Sequence, residues 1–447
     1  MPAHLIDSAI FRDLYGTPEM RAIFEDRALV QAWLDAEAAL ARAEAEVGLI
    51  PPEAAEEIAA NCRADLIDLD ELKAQTELVG YPILPLVRQV ERHCRGESGG
   101  YLHWGATTQD IMDTATALQL ARARELFQGG LADLEGVVAD LARRYRDTPM
   151  AGRTHGQQAA PITFGYKVAV WLAELRRHRE RLEACGPRLL VGELAGAVGT
   201  LASLGRPGLR VQELMLRALG LGVPPISWHT ARDNLAEFAC LLGLLVSTLA
   251  KIAQEIALLQ KSETGEVEEG FEPGRGGSST MPQKRNPISC EAIIGIAKIV
   301  RQDVALALDF MTPDHERATG PWHAEWEALP EICILAHGAL AHTLGLLRNL
   351  VVRPERMARN LALSEGLIAS EAVMMRLAPQ LGRQRAHDVV YEACMAALEG
   401  AEPLRRLLLS DPEVASVISA DELDRLLDPA NYTGLAAEFV DRVLADR

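Results

Sequence analysis

Aromatic residues are scarce in this chain, at 5% of 447 positions. Alanine, leucine, glutamate and arginine dominate instead. These are good helix formers, so a largely helical, all-α protein is expected. Positive charge is also in deficit. A formal net charge of -18 leaves no electrostatic footprint for nucleic acid or an anionic membrane surface. A local cationic pocket for an anionic substrate stays compatible with that balance. The seven cysteines, Cys62, Cys94, Cys185, Cys240, Cys290, Cys333 and Cys394, are odd in number, far apart and without a CxxC pair. That spacing argues against a disulfide framework or zinc finger and fits reduced thiols in the cytoplasm. The opening MPAHLIDSAIFRD lacks a basic-then-apolar leader. Apolar stretches such as residues 240–246 are broken by polar residues before bilayer length, so no membrane span is expected.

What the chain does hold is helical periodicity. Residues 20–47 read as one helix, with Ala22, Ile23, Leu29, Trp33, Leu34 and Leu40 on its apolar side and Pro51-Pro52 as its stop. Further helical patterns, a break at Tyr81-Pro82 and a polar turn over 95–100 suggest an N-terminal helical domain over 1–110. Four long patterns follow, over 111–145, 161–185, 233–262 and from Pro287 toward Phe310. Helices of that length bury their apolar faces best against one another, which predicts a bundle over 111–353. A C-terminal helical domain covers 354–447, punctuated by Asp411-Pro412 and Asp428-Pro429. The many small and aliphatic residues of the long segments point to oligomer packing, with a thick monomeric core as the alternative.

Three loops carry chemistry. The first, His103-Trp104-Gly105-Ala106-Thr107-Thr108-Gln109-Asp110, meets the start of a long helix, where Thr107, Thr108 and free N–H groups suit a carboxylate. The bland reading is a helix cap by Thr108 or Asp110. The second, Gly152-Arg153-Thr154-His155-Gly156-Gln157-Gln158-Ala159-Ala160-Pro161, is a loop before a long helix that gathers groups able to bind or protonate an oxygen. His155 is a residue type suited to exchanging a proton during catalysis. The third, Gly277-Ser278-Ser279-Thr280-Met281-Pro282-Gln283-Lys284-Arg285-Asn286-Pro287, puts hydroxyls before a cationic, amide-bearing turn. Lys284 and Asn286 suit an extra negative charge on a substrate carboxylate. Ser278 or Ser279 is a candidate base, once N–H and cationic donors help to deprotonate it. Gly276 and Gly277 supply a hinge. The GxxxxGK[ST] phosphate cradle is absent. His315, Glu316, His323, Glu325 and Glu327 lack HExxH spacing, so no essential metal is expected. His229 is a candidate supporting group, and Arg232 suits an internal pair or a carboxylate.

These three loops, in this order between long helices, resemble the signature regions of the fumarase/aspartase superfamily, and the resemblance covers essentially the whole chain. It implies three helical domains per subunit and a homotetramer in which each active site joins loops from three subunits. By this resemblance, Ser278 removes a proton beta to a leaving group and Lys284 and Asn286 stabilise the aci-carboxylate intermediate. Thr107 and Thr108 bind a carboxylate, His155 is the acid or supports proton transfer, and His103 is a substrate-site histidine. Thr154, Gln157, Gln158, Ser279, Met281 and Arg317 complete the expected substrate-binding set.

Residues 101–114, 228–233, 276–287 and 315–330 are most similar to bacterial 3-carboxy-cis,cis-muconate cycloisomerases. Those enzymes interconvert the muconate and its gamma-lactone in aromatic catabolism and need no metal or organic cofactor. Two departures bear on that reading. His155 stands where such cycloisomerases commonly lack histidine, and Gln158 stands where they carry one. This pattern resembles the eliminating lyases and keeps open a carbon–nitrogen lyase releasing fumarate from an amino-, nitro- or N-substituted succinate. Thr17 stands where adenylosuccinate lyases carry an arginine, which argues against a nucleotide phosphate. A catalytically silent structural relative is a third reading, opposed by the retention of Ser278, Lys284, Asn286 and His155.

Overall fold

The structure is a computed structural model that describes residues 4–446, apart from 271, 273, 275, 278, 279, 318 and 401. The all-α expectation holds. Among the described residues, the strands form only two two-stranded antiparallel ribbons. The longest helices are α1 (Asp26–Glu46), α2 (Thr108–Arg144), α3 (Phe164–Leu189), α4 (Asp233–Leu259), α5 (Ile288–Asp309) and α6 (Pro321–Arg348).

Three sequence expectations change. Residues 20–47 are two helices, because Glu25 turns extended (φ -65°, ψ 147°) between Pro18–Phe24 and α1. The set of long helices after residue 107 gains a fifth member in α6, which keeps Pro330 inside it. A proline removes one helical hydrogen bond and reads as a stop, yet a 28-residue helix absorbs it. Finally, α4 and α6 are long and apolar enough to cross a bilayer by length and composition. Isolated polar residues interrupt each contiguous apolar run, yet both helices remain apolar along their length. Over half of each apolar window, 56% and 61%, is buried inside the protein, as core helices require.

The chain divides into two compact units. The first holds Met1–Ala132, Arg177–Ala250 and Ala292–His342. Its core gathers Val30, Trp33, Leu34 and Leu40 of α1 around Ile58, Leu86, Ile111, Met215 and Trp322. Each large apolar side chain buried there contributes roughly 1.5–3 kcal/mol. Alanines on α1 let neighbouring backbones approach. Two acidic residues, Glu37 and Glu44, are nonetheless buried on the same helix. The second unit holds Asp133–Arg176, Lys251–Glu291 and Thr343–Arg447. There Val373, Leu377, Val389, Leu404, Leu408, Val414 and Leu423 pack the C-terminal helices together. All seven cysteines are unpaired.

Candidate active site

In the first unit, the turn before α2 is built around two left-handed residues, His103 (φ 61°) and Gly105 (φ 71°). A Cβ on Gly105 would meet Leu204 at 2.5 Å, so this turn demands glycine. Thr107 begins the helix in a reciprocal cap. Asp110 N–H donates to the Thr107 carbonyl at 3.0 Å, and Thr107 N–H donates to Asp110 Oδ2 at 2.9 Å. Thr107 and Thr108 are half-buried at this helix start.

His103 Nδ1 lies 2.6 Å from Glu37 Oε1. A carboxylate only accepts, so Nδ1 carries the proton and Nε2 is left for a ligand. Burial pushes the His103 pKa down. The charge and hydrogen bond of Glu37, with Asp110 beyond, outweigh that and raise it above the ordinary value. Sequence reasoning missed Glu37. Its signal was a glutamate in the middle of an alanine- and leucine-rich helix.

Gln109 ties this turn to Arg317. Its amide donates to Asp113 Oδ2 (3.1 Å) and the His229 carbonyl (3.0 Å), while its oxygen accepts from Arg317 Nε at 3.0 Å. Arg317 Nη2 also donates to the Ala197 carbonyl. The guanidinium thereby stands beside the Thr107–Thr108 turn. Arg232 takes the internal option, bridging Asp113 and Glu325 in full burial. The acidic residues near His323 therefore split. Glu325 serves Arg232, whereas Glu327 and Glu331 face the two ring nitrogens of His4. Tyr81, Trp322, His323 and Trp326 form an aromatic cluster, with ring centroids 4.4–6.4 Å apart. Trp322 and Trp326 also line a cavity of about 810 Å³ with Trp33, Met112 and Leu120. Thr17, where an arginine was missed, caps its own helix and bonds His337 Nδ1 at 2.8 Å.

In the second unit, the expected loop over 152–161 is instead a hairpin of β1 (Pro149–Thr154) and β2 (Gln157–Thr163). His155 (φ 51°) and Gly156 (φ 78°) are its two central residues, both left-handed, as a tight hairpin turn with the strands' own twist requires. His155 stands exposed at the tip with Thr154 and Gln157. The base of the tip is anchored from behind. Arg153 donates to both Glu266 oxygens at 2.7 and 2.9 Å, Asn360 donates to Glu266 Oε1 at 2.7 Å, and Gln158 donates to the Asn360 carbonyl at 3.0 Å. Glu266 and Asn360 had no recognisable local motif.

The signature loop closes on itself. Asn286 N–H donates to the Gly276 carbonyl (2.9 Å), Lys284 N–H to the Met281 carbonyl (3.1 Å), and Gly277 bridges Arg285. Lys284 and Met281 are exposed and Asn286 is half-buried. Glu269 caps the following helix by accepting from Ser289 N–H at 3.2 Å and Cys290 N–H at 2.9 Å. Ser278 and Ser279 lie outside the described residues. The candidate groups thus form two sets. His103, Thr107, Thr108 and Arg317 belong to the first unit; Thr154, His155, Gln157, Gln158, Met281, Lys284 and Asn286 belong to the second.

Comparison with known proteins fits this layout. Residues 15–301 match the lyase family and residues 366–443 the adenylosuccinate lyase C-terminus family. The chain is 47% identical to trans-aconitate decarboxylase 1 of Mycosarcoma maydis, over 99% of this chain and 90% of that one. It is 46% identical to 3-carboxy-cis,cis-muconate cycloisomerase of Pseudomonas aeruginosa, over 98% and 96%. The crystal structure of the 3-carboxy-cis,cis-muconate lactonizing enzyme from Pseudomonas putida superimposes with a TM-score of 0.93 at 43% identity, covering 98% of both chains. Matches of this extent, joined to the helix-start turn, the hairpin and the closed loop, make this chain an enzyme of the fumarase/aspartase superfamily.

Proposed function

We propose that this enzyme is a 3-carboxy-cis,cis-muconate cycloisomerase acting without metal or organic cofactor. The observation that carries this reading is the aromatic wall of Tyr81, Trp322, His323 and Trp326 in the unit that holds Arg317. Flat rings and a guanidinium suit a planar, unsaturated polycarboxylate, and Thr17, where adenylosuccinate lyases carry an arginine, argues against a phosphate-bearing nucleotide. Two similar relatives are named for unsaturated tricarboxylates, the muconate and trans-aconitate.

In the lactone-opening direction, Ser278 takes the proton from the carbon beside a carboxylate. Lys284 and Asn286 hold the doubly charged aci-carboxylate, and the beta carbon–oxygen bond breaks to give the second double bond. Thr107, Thr108 and Arg317 hold substrate carboxylates. His155 supplies or receives the proton at the departing oxygen. Ser279, Thr154, Gln157, Gln158 and Met281 are assigned to the remainder of the substrate, and His103 offers Nε2.

The candidate groups fall into two units, and Val170, Leu244, Leu258 and Leu308 on the long helices are 39–51% exposed within one chain. Both facts support oligomer packing with shared sites, which we read as a homotetramer whose sites each join three subunits. Three domains per subunit (1–110, 111–353 and 354–447) and a cytoplasmic location belong to the same proposal. His155, standing where bacterial cycloisomerases commonly lack histidine, favours a second reading, elimination of an amino, nitro or N-substituted group from a succinate.

An ultraviolet and mass-spectrometric assay separates the two. Conversion of the muconate to its lactone without mass change supports cycloisomerisation. Fumarate release from substituted succinates, with the muconate untouched, overturns it in favour of elimination.

A further inference from the structure

Beyond the groups assigned to substrate and proton transfer lies a cluster of Asp110, Glu193 and His229, at 0%, 0% and 4% exposure. One oxygen or nitrogen of each lies within 4.8 Å of the others. Asp110 is the hub. Its Oδ2 accepts Thr107 N–H (2.9 Å) and Gly196 N–H (3.0 Å); its Oδ1 accepts Ala195 N–H (2.9 Å) and faces His229 Nε2 at 2.8 Å. Because a carboxylate only accepts, His229 donates through Nε2. Four donors from three chain segments fill the carboxylate's lone pairs. A metal-binding role for the cluster is disfavoured for that reason, since Asp110 has no acceptor site left to offer an ion.

Glu193 locks the same segments together. Its N–H donates to Thr114 Oγ1 (2.9 Å), its carbonyl accepts from that hydroxyl (2.8 Å), and its Oε2 accepts Trp228 N–H at 2.5 Å. Among the described residues, Glu193 Oε1 and His229 Nδ1 have no hydrogen-bond partner. Gly196 (φ 75°) passes so near the turn that a Cβ there would lie 3.3 Å from the Gly105 carbonyl. The 105–108 turn is thus tied through Thr107 N–H to a buried carboxylate that also holds residues 195–196 and His229.

We propose that Asp110 and His229, braced by Glu193, are positioning residues that hold the 105–108 turn in the shape that receives a substrate carboxylate. The inference rests on the reading of Thr107 and Thr108 as carboxylate ligands. Removing the His229 donor leaves Asp110 Oδ1 with the Ala195 N–H as its remaining partner among the described residues, in full burial, which loosens the carboxylate's hold on Thr107 and on residues 195–196. The reacting atoms are untouched, so weaker carboxylate binding raises KM far more than it lowers kcat.

The test uses full-length His229→Leu and His229→Gln, the latter keeping an N–H near the Nε2 position. Hydrogen exchange is followed over peptides covering 105–110 and 195–196, and kinetics with the muconate. In the leucine variant we expect faster exchange confined to those peptides and at least a tenfold rise in KM, with kcat within threefold; glutamine restores both. Unchanged exchange, exchange raised throughout the molecule, a loss of kcat at constant KM, or equal behaviour of the two variants overturns the proposal. A wild type that exchanges as expected relative to the variants but leaves the muconate untouched overturns the substrate reading alone.

Discussion

Arg232 and Asp113 face each other through two hydrogen bonds, Nη1 to Oδ2 at 2.8 Å and Nη2 to Oδ1 at 2.9 Å, with both side chains 2% exposed. Glu325, also buried, takes the other edge of the guanidinium. One cation therefore answers two buried carboxylates, and the ring of Trp228 lies 4.7 Å from the Arg232 carbon. Burial pushes Glu325 up to about 7 even with Arg232 beside it. Arg232→Met leaves both carboxylates without their cation and is expected to cost about 3–5 kcal/mol. Chemical unfolding monitored by circular dichroism checks this, and a midpoint equal to wild type refutes it.

Glu44 sets a pH dependence. Both its oxygens lack a partner among the described residues, and burial, reinforced by Glu37, lifts its pKa to about 9 from an ordinary 4.5. An acid whose folded pKa is raised holds its proton longer in the folded state. Its stability contribution is therefore complete below about pH 4.5 and is lost progressively as pH rises toward 9. Glu44→Gln removes this term. The melting temperature of the variant minus that of wild type should grow from pH 5 to pH 8.5, by about 1–2 °C for each ~1–2 kcal/mol removed in a chain of this length. A difference that stays flat with pH rejects the assignment.

The hairpin that carries His155 rests on Arg153 and Glu266. Arg153→Met removes two charge-assisted hydrogen bonds from a fully buried carboxylate and leaves Asn360 as its remaining side-chain donor. A loss of about 2–3 kcal/mol is expected. Amide exchange should accelerate across residues 149–163, with turnover falling as the His155 tip loses its register. Normal turnover with a loosened hairpin separates the two links and removes His155 from the chemistry.

The long helices were legible because spacing alone fixes which face is apolar: Phe127, Leu131, Leu134 and Val138 step along α2 and are all fully buried. The hairpin was hidden because its strands carry Gly152 and Pro161, two strand breakers, and the register is irregular between Gly152 and Arg153. Loop positions of the candidate residues could be named from motifs. Their supports could not, since Glu37 is 66 residues from His103 and Glu266 is 113 from Arg153. Such pairs depend on packing that local sequence does not encode.

Lys284 is the cation expected to face the intermediate's second charge. Lys284→Met should lower kcat by about 10²–10³-fold, the scale on which one oxyanion donor acts. Size-exclusion chromatography should show assembly unchanged, because one exposed loop side chain contributes little beside the long helices to subunit packing. A kcat near wild type excludes Lys284 from that role.

Sharing of sites between subunits makes the sharpest prediction. If the His155 hairpin of one subunit meets the Lys284 loop of another, two inactive variants can repair each other. His155→Ala and Lys284→Met should each be inactive or nearly so as pure oligomers. Co-expressed in equal amounts with different affinity tags, they form mixed oligomers in which each site draws its hairpin and its loop independently. Each element is then intact half the time, so roughly a quarter of the sites regain both, and activity should return to about a quarter of wild type. A site built within one subunit predicts otherwise, because every chain then carries one defect into its own site. Tandem purification on both tags isolates the mixed species. Activity near that quarter supports the shared site. No recovery in oligomers shown to contain both tags places the hairpin and the loop of each site in the same chain.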